Sequence, residues 1–271
     1  MLADAIAAEA FRLRRSPAVL FWGFLAVPLA VLLFNLLLDS WVRLHMNLPA
    51  MLDMGRQMVS GVGLTQSAFF QIFYAAAAAS LFAADYRWET WRLLTPRNSR
   101  VNLIMARFAV YGAACAASLI LLGVFALAQC LYAVAIGGAV LVAPGPFALP
   151  LLGTFLTGWC ELMVLGAIVA IIVITTRAAT GALMTAMAFC FGQWLMMVLI
   201  HPWQASPVWY AALPRLSAYM LRAFVTGQEV APGMAANAAQ GGLAALCLLI
   251  WMTLGMAVAA GLFRAQELTR E

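Results

Sequence analysis

The chain has 271 residues, 66% of them hydrophobic and 9% charged, with a mean hydropathy of +0.97 and a formal charge of +5. A soluble domain carries about 25% charged residues, so this composition excludes a chain that folds alone in water. All fifteen basic residues are arginine, which also excludes a Walker A loop, whose lysine must reach the nucleotide phosphates.

The five cysteines, Cys115, Cys130, Cys160, Cys190 and Cys247, each fall inside an apolar block. They form no CxxC and no Cys/His cluster, so they read as small apolar filler rather than as metal ligands or disulfides. The arginines are distributed as membrane topology requires, and nothing in the charge pattern points to nucleic acid.

Residues 1–17 place Leu2, Ile6, Ala10 and Leu13 on one helical face, followed by Arg12, Arg14 and Arg15; Glu9 interrupts the apolar face. This reads as an interfacial helix on the membrane surface. Six apolar stretches follow, each reaching at least the ~17–25 residues, at about 1.5 Å per residue, with which helices cross a bilayer. They cover residues 18–38, 68–84, 102–136, 151–175, 181–200 and 242–263. The first contains Pro28 and is too long for the apolar region of a signal peptide. The third exceeds what a bilayer needs, so it tilts, projects beyond the membrane or breaks near one end. The fold class expected is an all-α integral membrane protein forming a single transmembrane domain over residues 1–271.

Arginine placement sets the orientation. With the N-terminus inside, Arg12, Arg14, Arg15, Arg87, Arg92, Arg97, Arg100, Arg107, Arg177, Arg264 and Arg270 fall on the inner side, and only Arg43, Arg56, Arg215 and Arg222 on the outer side. Both termini, including the tail 264–271, are therefore expected in the cytoplasm. Of the two longer outer segments, residues 39–66 read as a loop carrying Trp41, His45, Pro49 and Gly61. Residues 201–241 are too apolar for a plain loop. There Ser217–Thr226 reads as helical, within a re-entrant or interfacial hairpin, with Trp203, Trp209 and Tyr210 in the outer aromatic belt.

The stretch between spans two and three carries the most information: Asp85-Tyr-Arg-Trp-Glu-Thr-Trp-Arg-Leu-Leu-Thr-Pro-Arg-Asn-Ser-Arg100. Trp88, Trp91 and Arg92 recur at helical spacing, and Pro96 stops the helix. Aromatics and arginines on a short helix suit the docking of a partner, where such residues concentrate; they equally suit a juxtamembrane anchor. Within the spans, Glu161 is the one deeply placed carboxylate. Such a group is costly unless paired or hydrated, which makes it a candidate for the translocation pathway or for a structural hydrogen bond between helices. Arg107 is the nearest basic residue in a span, although its depth argues against a direct bridge; Gln71, Gln129 and Gln193 are alternative partners.

The Asp85–Arg100 stretch resembles the signature region of type-2 ABC transporter permeases, the membrane subunits of bacterial ATP-driven exporters. The matching positions are Asp85, Thr90, Trp91, Arg92, Leu93, Leu94, Pro96, Arg100 and Arg107; Glu89 stands where a glycine is common, and Arg107 where a lysine is. The helix before span one resembles that family's elbow helix. Ala212–Leu216 resembles its outer proline-containing hairpin between spans five and six, and Leu262–Glu267 its cytoplasmic tail.

The resemblance implies a coupling helix between spans two and three that docks on a separate P-loop ATPase subunit through Asp85, Arg87, Trp88, Glu89, Thr90, Trp91, Arg92, Leu94, Pro96 and Arg100. It implies that ATP and magnesium are bound by that partner and no cofactor by this chain. It further implies pairing with a second, identical or homologous permease subunit in the bacterial inner membrane, and export of a drug, antimicrobial peptide or lipid-like substrate. On this reading the chain is no enzyme by itself. Two other readings compete. An ion-driven secondary transporter would use Glu161, and would be expected to carry an inverted repeat, which the sequence does not display. An intramembrane enzyme would need paired catalytic groups at one depth, which are also not in view.

Overall fold

A computed structural model describes residues 2–46, 50–88, 99–136, 139–200 and 206–266. The helices are α1 (Leu2–Arg14), α2 (Pro17–Leu20), α3 (Ala26–Met46), α4 (Met54–Gly63), α5 (Ala68–Trp88), α6 (Arg100–Ala135), α7 (Ala148–Thr176), α8 (Ala179–Ile200), α9 (Pro207–Ala212), α10 (Pro214–Thr226) and α11 (Ala238–Ala265). A π-helical turn, Phe21–Leu25, joins α2 to α3, and a 3-10 turn, Leu64–Gln66, precedes α5. Six helical segments among the described residues are long and apolar enough to cross a membrane: Pro17–Val42, Ala68–Tyr86, Arg100–Ala135, Ala148–Thr176, Ala179–Ile200 and Ala238–Ala265. The chain thus has the helices of a multi-pass membrane protein.

Burial orders these six. Over its most apolar stretch α7 is 72% buried and α5 61%, against 17% for α8 and 22% each for the first span and α11. The chain therefore builds a bundle around α7, which packs against α5, α6, α8 and α11. The peripheral helices turn large apolar side chains outward, among them Phe34, Leu37, Leu199 and Leu254. In water such a surface would aggregate, whereas in hydrocarbon it costs nothing.

α6 runs unbroken for 36 residues, about 54 Å of helix. Of the alternatives open for a span of this length, a break is not the one adopted. Its two ends pack against α1 and α4, the short helices at opposite ends of the bundle.

Pro28 explains a local feature of the first span. Proline has no N–H to give the carbonyl four residues earlier, here that of Phe24. The helix takes a π turn over this stretch, and Ser118 Oγ on α6 donates to Phe24 O at 2.6 Å. Tyr74 OH on α5 completes the chain, sharing a 2.8 Å hydrogen bond with Ser118 Oγ. Gly23 beside it allows close approach, because a Cβ there would sit 2.4 Å from Ala77 Cβ.

Residues 39–66, expected as a loop, are largely ordered into helix and strand. The first-span helix continues to Met46; β1 (Ala50–Asp53) pairs in parallel with β2 (Ala139–Val142), and α4 follows. Asp53 links the pieces. Its carboxylate accepts from Gly55 N at 2.8 Å and Arg56 N at 3.1 Å, capping α4, and from Gly145 N at 3.4 Å. Those backbone donors, Arg56 N foremost, hold its carboxyl below the usual range. A second small pair, β3 (Glu229–Ala231) with β4 (Met234–Ala235), leads into α11. Tyr210, expected in an aromatic belt, is instead buried inside the α9–α10 hairpin with Leu216 and Met220, while Trp209 is exposed.

Candidate functional site

Charged side chains gather inside this apolar bundle at two places. The first lies at the end carrying α1 and the α5–α6 connection. Arg107, fully buried on α6, donates from Nε to Glu9 Oε1 at 3.2 Å and from Nη1 to Phe82 O at 3.0 Å, and its Nη2 meets Asp85 Oδ2. Arg12 on α1 reaches Asp85 Oδ1 at 2.9 Å and Glu9 Oε1 at 3.5 Å. Among the described residues, two arginines and two carboxylates thus form a four-charge cluster joining α1, α5 and α6. Glu9, an interruption of the apolar face in the sequence, is the α1 residue that turns inward to Arg107. Asp85, expected on the docking segment, is 1% exposed and engaged inside the chain.

The same end carries the other predicted residues that can be placed. Arg100 Nη1 donates to Arg264 O at 3.2 Å and to Gln266 O, holding the start of α6 to the end of α11. Gln266 in turn accepts from Tyr86 OH at 2.7 Å and donates to Ile174 O at 3.1 Å. Residues 85–88 close α5. The side chains of Arg87 and Trp88, and all of Glu89, Thr90, Trp91, Arg92, Leu94 and Pro96, lie outside the described residues.

The second cluster lies near the middle of α7. Glu161 Oε1 accepts from Gln71 Nε2 at 2.7 Å, and Glu161 Oε2 from Arg222 Nη2. Gln71, one of the glutamines expected as partners, also donates to Thr65 O at 3.0 Å. By sequence Arg222 falls on the outer side, within the helical segment Ser217–Thr226 of the expected re-entrant or interfacial hairpin. It reaches Glu161 because α10 lies against α7 and α11 instead of over them. The charge partner of Glu161 is therefore Arg222, and not the Arg107 considered from sequence. Gly158, one turn before Glu161, lets Thr65 approach α7 closely, because a Cβ there would stand 3.0 Å from Thr65 Oγ1.

Arg215, two helical turns before Arg222, faces the same way. Its backbone N donates to Gln193 Oε1 at 2.9 Å and its Nη2 to Gln66 O. Among the described residues no carboxylate pairs with it. Both arginines line a cavity of about 860 Å³ with Arg56, Thr154, Trp194 and Tyr219. It opens at the end opposite the four-charge cluster, between α4, α10 and the adjacent ends of α7 and α8. Sequence reasoning missed Arg215 and Arg222 as site residues. The available signal was a pair of arginines seven apart in an otherwise apolar helix, hence on one face, in a chain with an intramembrane carboxylate in need of a cation.

His45 stacks on Trp41 at 4.8 Å and bonds within its own helix; His201 lies outside the described residues. Among the described residues no His, Cys, Asp and Glu cluster could hold a metal ion. Comparison with protein-family models, with curated proteins and with solved structures finds no match to this chain.

Proposed function

We propose that this chain is the permease subunit of an ATP-driven exporter, a type-2 ABC transporter in which a separate P-loop ATPase supplies the energy and a second permease subunit completes the pathway. The observation carrying the proposal is the four-charge cluster of Glu9, Arg12, Asp85 and Arg107. It fastens the N-terminal helix and the ends of α5 and α6 into one unit. In the chain, residues 89–98, the tryptophan-and-arginine segment read as the coupling helix, follow α5 and precede α6. A push on that segment would move three helices together, as rigid-body switching of access requires. The arginine-rich end would face the cytoplasm and the cavity the opposite side.

The ion-driven alternative rests on Glu161. In this chain that carboxylate is occupied by Arg222 and Gln71, where it fastens the α9–α10 hairpin to α7, and we assign it that structural role. Co-purification of the tagged chain with a P-loop ATPase tests the proposal. Trp91→Ala and Arg92→Glu are each expected to release the ATPase and abolish ATP-dependent transport while the chain remains in the membrane. Unchanged docking and transport in both variants would refute it.

A further inference from the structure

The cavity between α4, α7, α8 and α10 combines three features that together specify a ligand chemistry. The first is size. About 860 Å³ lies within the ~300–1,000 Å³ typical of small-molecule sites.

The second is charge. Arg56, Arg215 and Arg222 line the cavity, against Asp53 at its mouth and Glu161 bound behind Arg222. Three cations against two anions leave one positive charge in surplus, on Arg215. The surplus is also unsatisfied in hydrogen bonding. Arg215 Nη1, Arg222 Nε and Thr154 Oγ1 are buried and find no hydrogen-bond partner among the described residues. Their residues are 7%, 4% and 2% exposed. A buried guanidinium N–H left without an acceptor is costly, and the three side chains that carry these donors all line one cavity, which suits it to an oxyanion.

The third is the wall. On α8 the rim is made by Trp194, Met197 and Val198. Trp194 and Val198 are half exposed on the outward face of a span, so the cavity opens sideways toward hydrocarbon.

From these we infer that the cavity binds an anionic amphiphile: a phosphate or carboxylate head on Arg215, Arg222 and Thr154, with its hydrocarbon tail leaving past Trp194 and Val198 into the bilayer. The guanidinium fork suits such a head because it offers parallel donors to two oxygens. The site stands on the cavity alone. Only its reading as a stage in export rests on the permease proposal, and a binding measurement on the chain without an ATPase separates the two.

The experiment uses the full chain purified in a neutral detergent and a phosphatidic acid carrying a fluorophore on its tail, followed by fluorescence polarisation. Saturable binding is expected, displaced by unlabelled phosphatidylglycerol and at least tenfold more weakly by phosphatidylcholine. Arg215→Gln is expected to weaken binding at least tenfold. Ser60→Glu places a carboxylate on the cavity wall from α4, outside the spans, and is expected to weaken it comparably, which covers the case in which Arg215→Gln fails to fold. Arg264→Gln, at the other end of the bundle, should change nothing. Equal displacement by phosphatidylcholine would reduce the site to an apolar groove. Displacement by inorganic phosphate at the same concentration as by phosphatidylglycerol would make it a free-anion site. Unchanged binding in Ser60→Glu and in folded Arg215→Gln would place the lipid elsewhere. Any of these three overturns the inference.

Discussion

Arg107→Met removes the most deeply buried charge of the four-charge cluster and tests whether that cluster locks α1 to the bundle. Methionine approximates the length of the side chain, so the main losses are the charge and its donors. Glu9 Oε1 and Phe82 O lose their 3.2 and 3.0 Å donors, and among the described residues Asp85 keeps Arg12, at 2.9 Å. Two carboxylates, 7% and 1% exposed, then share one cation among the described residues. Removing one partner of a buried ion pair costs about 3–5 kcal/mol, and at about 2–4 °C per kcal/mol for a chain near this size the melting midpoint should fall by about 6–20 °C. The five cysteines are free, and four of them are buried, so a thiol-reactive dye reports the melt directly in detergent. The sharper test is non-additivity. Glu9→Gln destabilises the parent by leaving two cations against one anion, whereas in the Arg107→Met background it restores neutrality and should cost little or even stabilise. A shift below about 2 °C for Arg107→Met, or strictly additive shifts in the double variant, would show that these charges do not hold the helices together.

Three other outcomes follow from particular contacts. Glu161→Gln and Arg222→Gln should each lower the melting midpoint, and the double variant should fall less than the sum of the two, because each single change strands one buried charge; additive shifts would deny the pair. Ser118→Ala strands Phe24 O and Tyr74 OH at the π turn, costing about 1–3 kcal/mol, read as a drop in the same thermal assay, while Ser118→Thr should retain the parental midpoint more nearly. Asp53 has its carboxyl lowered by the backbone donors it caps, so its stabilising effect is fully present above the ordinary aspartate value of 3.8 and is lost as pH falls through the lower folded value. Hydrogen-exchange protection factors in α4 and at Gly145, taken relative to the intrinsic rate at each pH, should therefore fall on acidification in the parent, and the fall should be blunted in Asp53→Asn.

The six apolar helices were legible because hydropathy over about twenty residues is a property of the segment alone. The apolar stretch expected over 151–175 corresponds to a helix at Ala148–Thr176. The π turn was half legible: Pro28 announces an orphaned carbonyl, but nothing local names Ser118, 94 residues away, as its donor. The ion pairs were the least legible. Arg107 and Glu9 are 98 residues apart, and Glu161 and Arg222 are 61 apart. Counting arginines by loop placed Arg222 with the exterior, because a helix folded back into the bundle cannot be told by composition from one lying on its surface. The β1–β2 pair was hidden for another reason. Ala139–Val142 is a four-residue apolar run following a long helix, and periodicity cannot distinguish so short a strand from a frayed end.

The two clusters set the same physics to different ends, and their charge arithmetic separates them. At the α1 end two arginines meet two carboxylates, every charge has an opposite neighbour, and the associated cavity is only about 40 Å³. Such a cluster has no valence left for a ligand, and its effect is to fix the register of α1 against α5 and α6. At the other end Glu161 pairs with Arg222, and Arg215 seven residues earlier has, among the described residues, only backbone and amide partners. One guanidinium is left in surplus beside about 860 Å³ of space. A membrane protein that needed Arg215 only for packing would do better with an apolar residue, since an uncompensated cation away from bulk water is among the costliest groups to retain. Arg215→Leu is therefore expected to raise the melting midpoint of the purified chain while removing anionic-lipid binding. A lowered midpoint with binding intact would instead make Arg215 a structural residue held by Gln66 and Gln193.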